Sequence, residues 1–180
     1  MSGIHKFAVG IDPGMRYLGF SLAMDGAILQ RRTLCRVAGC QGRDVKATGA
    51  FYLQQLLAHL CVPQERMYHL EIALERMVFY PGQSAPVADL LDIQAVGAFV
   101  AGALARTVTW YEPAQWKGQL GKKACAAAQE RILLAEELPP RQADLSRMVE
   151  GIHEHALDAE GILLHHLGRF GPRNRTGSFR

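Results

Sequence analysis

The first strand-like segment of the chain is the feature that most limits its possible folds. In residues 4–12, the large side chains Phe7, Val9 and Ile11 alternate with small ones, and the segment runs into an Asp-Pro-Gly turn signal at Asp12. Alternation with a period of two predicts a β-strand, and the small residues between the large ones allow cover on both faces. We therefore expect a central strand of a sheet that is packed between helices.

The rest of the chain predicts a mixed α/β sheet. Further strands are expected at 17–24, 27–34, 68–75 and 107–111, and helices at 45–60, 87–105, 122–138 and 150–167. Asp25-Gly26 favours a tight hairpin turn between the second and third strands. Pro139-Pro140 is expected to separate the last two helices. A three-stranded antiparallel ribbon followed by two βαβ-type parallel strands indicates one α/β domain, with helices flanking the sheet.

Composition excludes several classes of protein. The chain has 180 residues, of which 49% are hydrophobic and 21% are charged, which excludes disordered, collagen-like and coiled-coil proteins. The longest unbroken apolar run, 95–105, is shorter than the roughly 20 residues that a membrane helix needs. The N-terminal segment lacks a long apolar region, so we expect neither a membrane span nor a signal peptide. Four cysteines without a CxxC pair indicate free thiols in a reducing compartment.

Positive charge is concentrated at the C-terminal end. The net charge is +3, and residues 169–180 contain four arginines and no acid, among them Arg169, Arg173 and Arg175. We therefore expect a domain at 1–168 and a basic, flexible tail at 169–180. Such a tail either keeps the protein soluble or contacts the phosphates of a nucleic acid, and composition alone leaves both open.

Two carboxylates follow two of the predicted strands. Asp12 ends the first strand and Glu75 ends the fourth. In α/β sheets, ligands bind at the carboxyl ends of the strands, so neighbouring strands would bring both side chains to one edge. Two close carboxylates repel each other unless a cation lies between them, and oxygen ligands suit Mg²⁺ or Mn²⁺. The alternative is that both are ordinary acids facing solvent.

The last predicted helix has a second possible group of ligands. His155 and Asp158 are three residues apart, so they share one face of a helix and together offer a nitrogen and an oxygen to a metal ion. Alternatively, this face only meets water. His165 and His166 are adjacent, diverge on a helix, and are expected at the surface.

Aromatic residues and lysines alternate after the fifth predicted strand. Trp110 is expected in the core of that strand, and Trp116 either stacks on bases or packs beneath a loop. Lys117, Lys122 and Lys123 cluster within seven residues, which favours contact with a nucleic-acid backbone.

Four segments, taken in chain order, form a pattern that spans residues 10 to 160. They are Gly10-Ile11-Asp12-Pro13-Gly14 with Gly19-Phe20, Ala73-Leu74-Glu75-Arg76, Tyr111-Glu112-Pro113 with Lys117, and His155-Ala156-Leu157-Asp158-Ala159. Together they resemble the motifs of RuvC-type Holliday junction resolvases, which belong to the RNase H-like nuclease superfamily. The Trp-Lys-Gly form at Trp116 resembles the smaller, phage-type members.

The resemblance implies an RNase H-like fold and a homodimer that binds a four-way DNA junction and nicks two strands symmetrically. It also implies two divalent ions, Mg²⁺ or Mn²⁺, in each active site. Asp12 would bridge both ions, Glu75 would hold one, and Asp158 with His155 the other. Lys117 and either Lys122 or Lys123 would hold the DNA backbone near the scissile phosphate. The bacterial cytoplasm is the implied location, and a phage gene is a compatible source.

The sequence departs from the family pattern in three places. Val78 occupies the position of an aromatic residue that disturbs base stacking, so Phe79 or Tyr80 would have to take that role. His155 stands where Asp is more frequent, which makes the site less anionic and favours Mn²⁺. The arginine-containing tail is an addition.

Other functions use a similar opening motif. Asp-x-Gly after a first strand also begins the sugar-kinase and actin-like ATPases, but those need two such domains and a second phosphate loop. A chain of 180 residues has no room for them, so no nucleotide cofactor is expected. Two alternatives stay open: an RNase H-like nuclease on forks, branched DNA or RNA–DNA hybrid, and a non-catalytic structural DNA-binding relative. Asp12, Glu75 and Asp158 are all present, which favours a nuclease.

Overall fold

A computed structural model describes residues 5–36, 44–60, 62, 69–79, 82, 86–104, 107–148 and 152–171. Within them, one mixed sheet has the strand order β3-β2-β1-β4-β5. β2 pairs antiparallel with both β1 and β3, and β4 pairs parallel with both β1 and β5. This confirms the predicted α/β sheet. The strands are β1 (Phe7–Asp12), β2 (Tyr17–Met24), β3 (Ala27–Cys35), β4 (Glu71–Glu75) and β5 (Thr107–Tyr111).

Helices flank the sheet, and their boundaries differ from the prediction between residues 122 and 146. The helix predicted at 122–138 begins at Lys122 as expected but ends at Glu130, where the chain turns. Pro139 and Pro140 lie in the first turn of α5 instead of separating two helices, since a proline there lacks only an N–H that has no partner within the helix. The helices are α1 (Val45–His59), α2 (Val87–Leu104), α3 (Pro113–Trp116), α4 (Lys122–Glu130), α5 (Leu138–Ser146) and α6 (His153–His166), with a 3₁₀ turn at Ala135–Glu137.

The central strand carries large side chains on one face of the sheet and small ones on the other. The large residues of β1, such as Val9 and Ile11, pack in one core with α1 and α2. The small residues, such as Ala8 and Ala73, face the other core, which contains Ile162 and Leu163 of α6. Asp12 and Glu75 continue the series of small residues on β1 and β4, so alternation directs both carboxylates towards α6.

Two glycines of the opening motif allow α6 to approach the sheet. A Cβ atom at Gly10 would overlap the carbonyl oxygen of Ala159, and one at Gly19 would overlap that of His155. The two glycines therefore allow the N-terminal half of α6 to pack directly against β1, which ends in Asp12, and against its neighbour β2.

A cluster of buried charged side chains holds α6 against β3 and α5. Glu160 of α6 is fully buried and accepts hydrogen bonds from Nε of Arg31 on β3 and, at 3.0 Å, from Nε of Arg141 on α5. Nη1 of Arg141 also lies 3.4 Å from Oε2 of Glu130. The cluster links β3, α5 and α6. Removing one member would destabilise the fold, because a buried charge would lose its partner.

Arg169 belongs to the folded domain and not to the tail. Its guanidinium donates to the buried carboxylate of Glu137 at 2.6 and 2.8 Å, and to the carbonyl oxygens of Gly26 and Ile132, both at 2.9 Å. Phe170 is buried beside it. The expectation that Arg169 contacts DNA from a flexible tail is therefore corrected, because its donors are used inside the domain. Residues 172–180 lie outside the described residues.

Three aromatic positions also differ from expectation. Trp110, expected in the core, is 37% exposed. His165 and His166, expected at the surface, are partly buried, since Nδ1 of His165 bonds to the carbonyl of Phe170 and His166 bridges Tyr111 and Glu71.

Among the described residues, α2 alone is long and apolar enough to cross a bilayer by length and composition. Core helices pass the same test, and α2 buries Val96 and Val100 against the sheet and α1, so this is weak evidence of a membrane span.

Candidate active site

The two strand-end carboxylates lie side by side. β1 and β4 are parallel neighbours with Ile11 opposite Leu74, so Asp12 and Glu75 follow at the same edge of the sheet. Both are buried, with 7% and 8% of their surfaces exposed. This arrangement follows from the chain connection, because a parallel pair brings both carboxyl ends to one side.

The first turns of α6 bring two more groups to this edge. Nδ1 of His155 lies 2.7 Å from Oδ2 of Asp12, and the ring of Tyr17 lies 5.5 Å from the imidazole. Asp158 follows one turn later on the same face of α6. The structure therefore brings together all four residues that the sequence singled out as ligands: Asp12, Glu75, His155 and Asp158.

Burial and mutual repulsion raise the pKa values of two carboxyl groups. Burial, followed by the charge of Asp12, raises the pKa of Glu75 to about 7. The same two causes raise the pKa of Asp158 to about 6. Lys117 opposes both shifts without cancelling them. The site thus carries more negative charge than its own lysines offset, which is the condition under which a bound cation is favoured.

The hydrogen bond to Asp12 raises the pKa of His155, which burial opposes. The protonated imidazole therefore acts as a local counter-charge to Asp12. His155 therefore gives this site a cation of its own at low pH.

Trp116 holds Glu75 from behind. Its indole is fully buried, and Nε1 donates a 3.0 Å hydrogen bond to Oε2 of Glu75. Trp116 ends the short helix α3, where Glu112 and Gln115 form a capping box and Pro113 occupies the first turn. The sequence suggested stacking or loop packing for Trp116 and gave no signal for this bond, because the two residues are 41 positions apart.

The three predicted DNA-binding lysines have different surroundings. Nζ of Lys117 lies 4.7 Å from the centre of the Trp116 ring, close enough to affect Glu75 and Asp158. Lys122 bonds to Glu154 at 2.5 Å, and Lys123 is exposed at the start of α4 near Glu130 and His153. Lys117 and Lys122 therefore border the acidic site, and Lys123 faces a neighbouring surface.

The segment after Glu75 contains the aromatic candidates. Phe79 is 55% exposed, and the backbone N–H of Met77 donates to Oε1 of Gln94 at 2.8 Å, which fixes the start of the segment on α2. Tyr80, Arg173 and Arg175 lie outside the described residues.

The four acidic and imidazole groups fit a divalent cation by their chemistry. In the described part of the chain, no three His, Cys, Asp or Glu side chains already form a metal-binding group. The donors that converge are nevertheless carboxylate oxygens and one imidazole nitrogen, and burial and the charge of Asp12 raise the pKa values of two of the carboxyl groups. Such a donor set suits Mg²⁺ or Mn²⁺.

The fold matches a solved structure of RuvC. A structure of RuvC from Thermus thermophilus is 21% identical, with a TM-score of 0.52, over 92% of this chain and 99% of that one. The chain has a RuvC-type fold. A second RuvC structure from that organism, in complex with a Holliday junction substrate, is 20% identical with a TM-score of 0.47 over the same shares of the two chains. No protein-family model and no curated protein matches the sequence.

The RuvC-type, RNase H-like fold was expected from the four motif-like segments, and the structural match confirms it. Glu154 is a neighbour of the site that the sequence analysis did not identify. Glu154 is adjacent to His155 in sequence, which gives no signal for a partner, and only the three-dimensional arrangement shows its bond to Lys122.

Proposed function

We propose that the protein is a divalent-metal-dependent endonuclease that resolves four-way DNA junctions by paired, symmetric nicks. One observation carries the proposal: Asp12, Glu75, His155 and Asp158 converge at the carboxyl ends of β1 and β4 on a RuvC-type fold. The proposed place of action is the bacterial cytoplasm, in a host process or in phage growth.

The four converging residues would hold the metal, with Asp12 shared between two ions, Glu75 on one, and Asp158 with His155 on the other. When bound, Mg²⁺ or Mn²⁺ would supply an activated water and stabilise charge on the leaving oxygen of the phosphodiester. An imidazole nitrogen binds a metal ion only when it is unprotonated, so loading the site would require the protonated ring of His155 to lose a proton.

The chain's own residues orient and insulate the reaction. Trp116 fixes one oxygen of Glu75, which leaves the other free to face the site. Burial of Asp12 and Glu75 excludes bulk water from their inner sides, which strengthens electrostatic interactions there. Lys117 and Lys122 border the acidic group and would bind the phosphates on either side of the scissile bond, because phosphate contacts set the position of the backbone.

Other DNA contacts are proposed from sequence and exposure. Phe79 is exposed four residues after Glu75, so it or Tyr80 would insert at the crossover and disturb base stacking. Lys123, Arg173 and Arg175 would add contacts to the arms of the junction.

A homodimer is proposed because two symmetric nicks need two sites related by a two-fold axis. The outer face of α2 supports this. Leu91 is 64% exposed, Val87 is 51% exposed and Phe99 is 37% exposed, and the exposed residues between them are alanines. A patch of this kind on an otherwise near-neutral domain suits contact with a second copy.

Leu91→Glu should shift the mass measured by light scattering from dimer to monomer, and should convert paired nicking into single nicks.

The activity is tested with end-labelled four-way junctions in Mg²⁺ or Mn²⁺, beside linear duplex, a fork and an RNA–DNA hybrid of related sequence. Asp12→Asn is the matched control and should abolish cleavage while binding stays the same or tightens, since a negative charge near phosphate is removed. Paired symmetric nicks on the junction alone support the proposal. Cleavage of forks or hybrid instead would assign another substrate, and binding without cleavage in either metal would assign a structural role.

A further inference from the structure

A cleft of about 270 Å³ runs along the outer edge of β3, outside the candidate active site. We call it the β3-edge cleft. Its polar lining consists of Arg31, Arg32 and Thr33 of β3, His59 of α1, and Asp144 and Arg147 of α5 and its C-terminal cap. The cleft therefore lies between the edge strand of the sheet and helices from both layers.

The lining of the β3-edge cleft has an excess of positive charge. Among the described residues, neither Arg32 nor Arg147 has a carboxylate within ion-pair distance. Asp144 is the one acid among the described lining residues, and its Oδ2 accepts a 3.0 Å hydrogen bond from the backbone N–H of Arg31. Burial, together with Arg32, lowers the pKa of His59, so this imidazole adds no charge near neutral pH.

Arg32 is held in place by a neutral group. With the Gln30 amide in its hydrogen-bonding orientation, Nε of Arg32 donates to the amide oxygen at 2.6 Å, and the amide nitrogen donates to the carbonyl of His59 at 3.2 Å. The guanidinium is thus oriented without being neutralised. A guanidinium held in this way presents its remaining N–H groups as a fork that matches the oxygens of a phosphate.

Arg31 adds buried donor groups to the wall of the cleft. Its side chain is fully buried, and Nη1 and Nη2 have no hydrogen-bond partner among the described residues. Its counter-ion Glu160 is shared with Arg141. Arg141 also pairs with Glu130, so this cluster of two arginines and two glutamates is balanced in charge, and Arg31 contributes donor groups without partners and no net charge.

The cleft opens at the same end of the sheet as the candidate active site. Oγ1 of Thr33 donates a 2.9 Å hydrogen bond to the carbonyl of Ile152, which immediately precedes α6 and also lines the cleft. His155 lies three residues further on, about 5 Å along the helix axis at 1.5 Å per residue. One side of the acidic site is therefore continuous with this basic surface.

We propose that the β3-edge cleft binds a backbone phosphate of the DNA strand that leaves the active site, with Arg32 and Arg147 as its ligands. The inference rests on the proposed DNA substrate and extends it with a site on the opposite side of the acidic group from Lys117. A phosphate is favoured over a carboxylate of a protein partner because the cleft adjoins a surface that would already hold a nucleic-acid backbone.

The test measures binding of the full chain to a four-way junction at several salt concentrations, in the Asp12→Asn background so that the DNA stays intact. Arg32→Gln with Arg147→Gln should weaken binding and reduce the slope of log K against log salt by about 1 for each arginine. Arg131→Gln is the matched control, because Arg131 is an exposed arginine at the far end of α4 from Lys122. It should leave the slope unchanged.

A second measurement locates the phosphate. Neutral methylphosphonate linkages are placed one at a time along the strand on both sides of the nick. At one position beyond the nick, the neutral linkage should weaken binding by the Asp12→Asn protein. The same linkage should not weaken binding by the arginine double variant any further, because both changes remove the same contact. Equal and additive losses at every position would overturn the proposal.

The two levels of inference fail in different ways. If the Asp12→Asn protein does not bind the junction, the proposed function fails and this inference fails with it. If it binds and the double variant has the same slope and affinity, only the cleft proposal is overturned. If the double variant has a lower unfolding temperature, Arg147→Gln alone is tested instead, since Arg147 is exposed and its side chain forms no ion pair among the described residues.

Discussion

The indole Nε1 of Trp116 lies 3.0 Å from Oε2 of Glu75, and it donates the one side-chain hydrogen bond found for that carboxylate in the described structure. Glu75 is buried at the end of β4, and its pKa is raised to about 7. The bond favours the ionised form and opposes the effect of burial. Trp116 is thus a positioning residue, which keeps one oxygen of Glu75 in a fixed direction.

Trp116→Phe should lower the cleavage rate by about 10- to 100-fold, the usual effect of losing a group that orients a metal ligand. It should also destabilise the fold by about 1–2 kcal/mol, because a buried acceptor loses its donor. Junction affinity should change little, since Trp116 has no exposed surface. Single-turnover cleavage and urea unfolding measure the two effects.

Trp110→Phe is the control for that experiment, because Trp110 is a partly exposed tryptophan on β5. It should leave the cleavage rate close to that of the unchanged protein. Equal rates for the two variants would show that the indole bond to Glu75 has no part in positioning.

His155 offers a direct test of metal preference. His155→Asp would place a third carboxylate beside Asp12, where the imidazole now lies 2.7 Å from Oδ2. A more anionic, all-oxygen donor set favours Mg²⁺, so the ratio of activity in Mg²⁺ to that in Mn²⁺ should rise by about tenfold or more. His155→Asn serves as the control, since it removes the imidazole without adding charge. A higher ratio of Mg²⁺ to Mn²⁺ activity for His155→Asn than for His155→Asp would contradict the assignment of His155 as a ligand.

The raised pKa values predict how stability depends on pH when metal is removed. Glu75 has a pKa of about 7 against an ordinary 4.5, and Asp158 about 6 against 3.8. The folded state therefore binds more protons than the unfolded state, and stability falls as pH rises through this range. The raised pKa of His155 changes stability in the same direction, because the stability that protonated His155 contributes is lost as the imidazole deprotonates.

In EDTA, the unfolding temperature should fall between about pH 5.5 and about pH 8. Mn²⁺ or Mg²⁺ should raise it at the higher pH more than at the lower, because metal competes with protons for the same groups. Glu75→Gln with Asp158→Asn should flatten the fall and remove the response to metal. A rise in unfolding temperature over this interval in EDTA would contradict the shifts.

Several features of the fold and site follow from local sequence. Alternation of large and small residues in 4–12 predicts a strand covered on both faces, and all of Phe7–Asp12 is buried. The Asp25-Gly26 turn is found with positive φ angles of 52° and 85°, as a tight hairpin requires. The chain order also places Asp12 and Glu75 on adjacent strands, because a parallel neighbour puts both ends at one edge.

Other features depend on contacts between distant parts of the chain. The prolines of α5 carry the same local signal whether they end one helix or begin the next, and only the packing of α5 on β3 decides between the two. The basic neighbours of Arg169 in sequence predict that it belongs to the tail, but its partner Glu137 lies 32 positions earlier. Local pattern cannot reveal such pairs.

Glu154 is expected to restrain Lys122. The two side chains bond at 2.5 Å and are both partly exposed, so the pair contributes less than about 1 kcal/mol to stability. Glu154→Gln would free Lys122 for a phosphate and remove a negative charge beside the DNA. Junction affinity should rise severalfold and the salt slope should steepen by about 1, measured by fluorescence anisotropy. Glu136→Gln removes an equivalent exposed charge from the 3₁₀ turn and should change neither quantity.

The boundary at Arg169 makes the role of the tail testable. Deleting residues 172–180 removes Arg173, Arg175 and Arg180 and keeps Arg169 with Glu137. If the tail contacts DNA, binding should weaken and the salt slope should fall by up to about 3, with the unfolding temperature unchanged. Arg169→Gln should give the opposite pattern, a loss of about 3 kcal/mol of stability, because the buried Glu137 loses its counter-ion. A deletion that leaves the salt slope unchanged would show that the tail does not bind the junction.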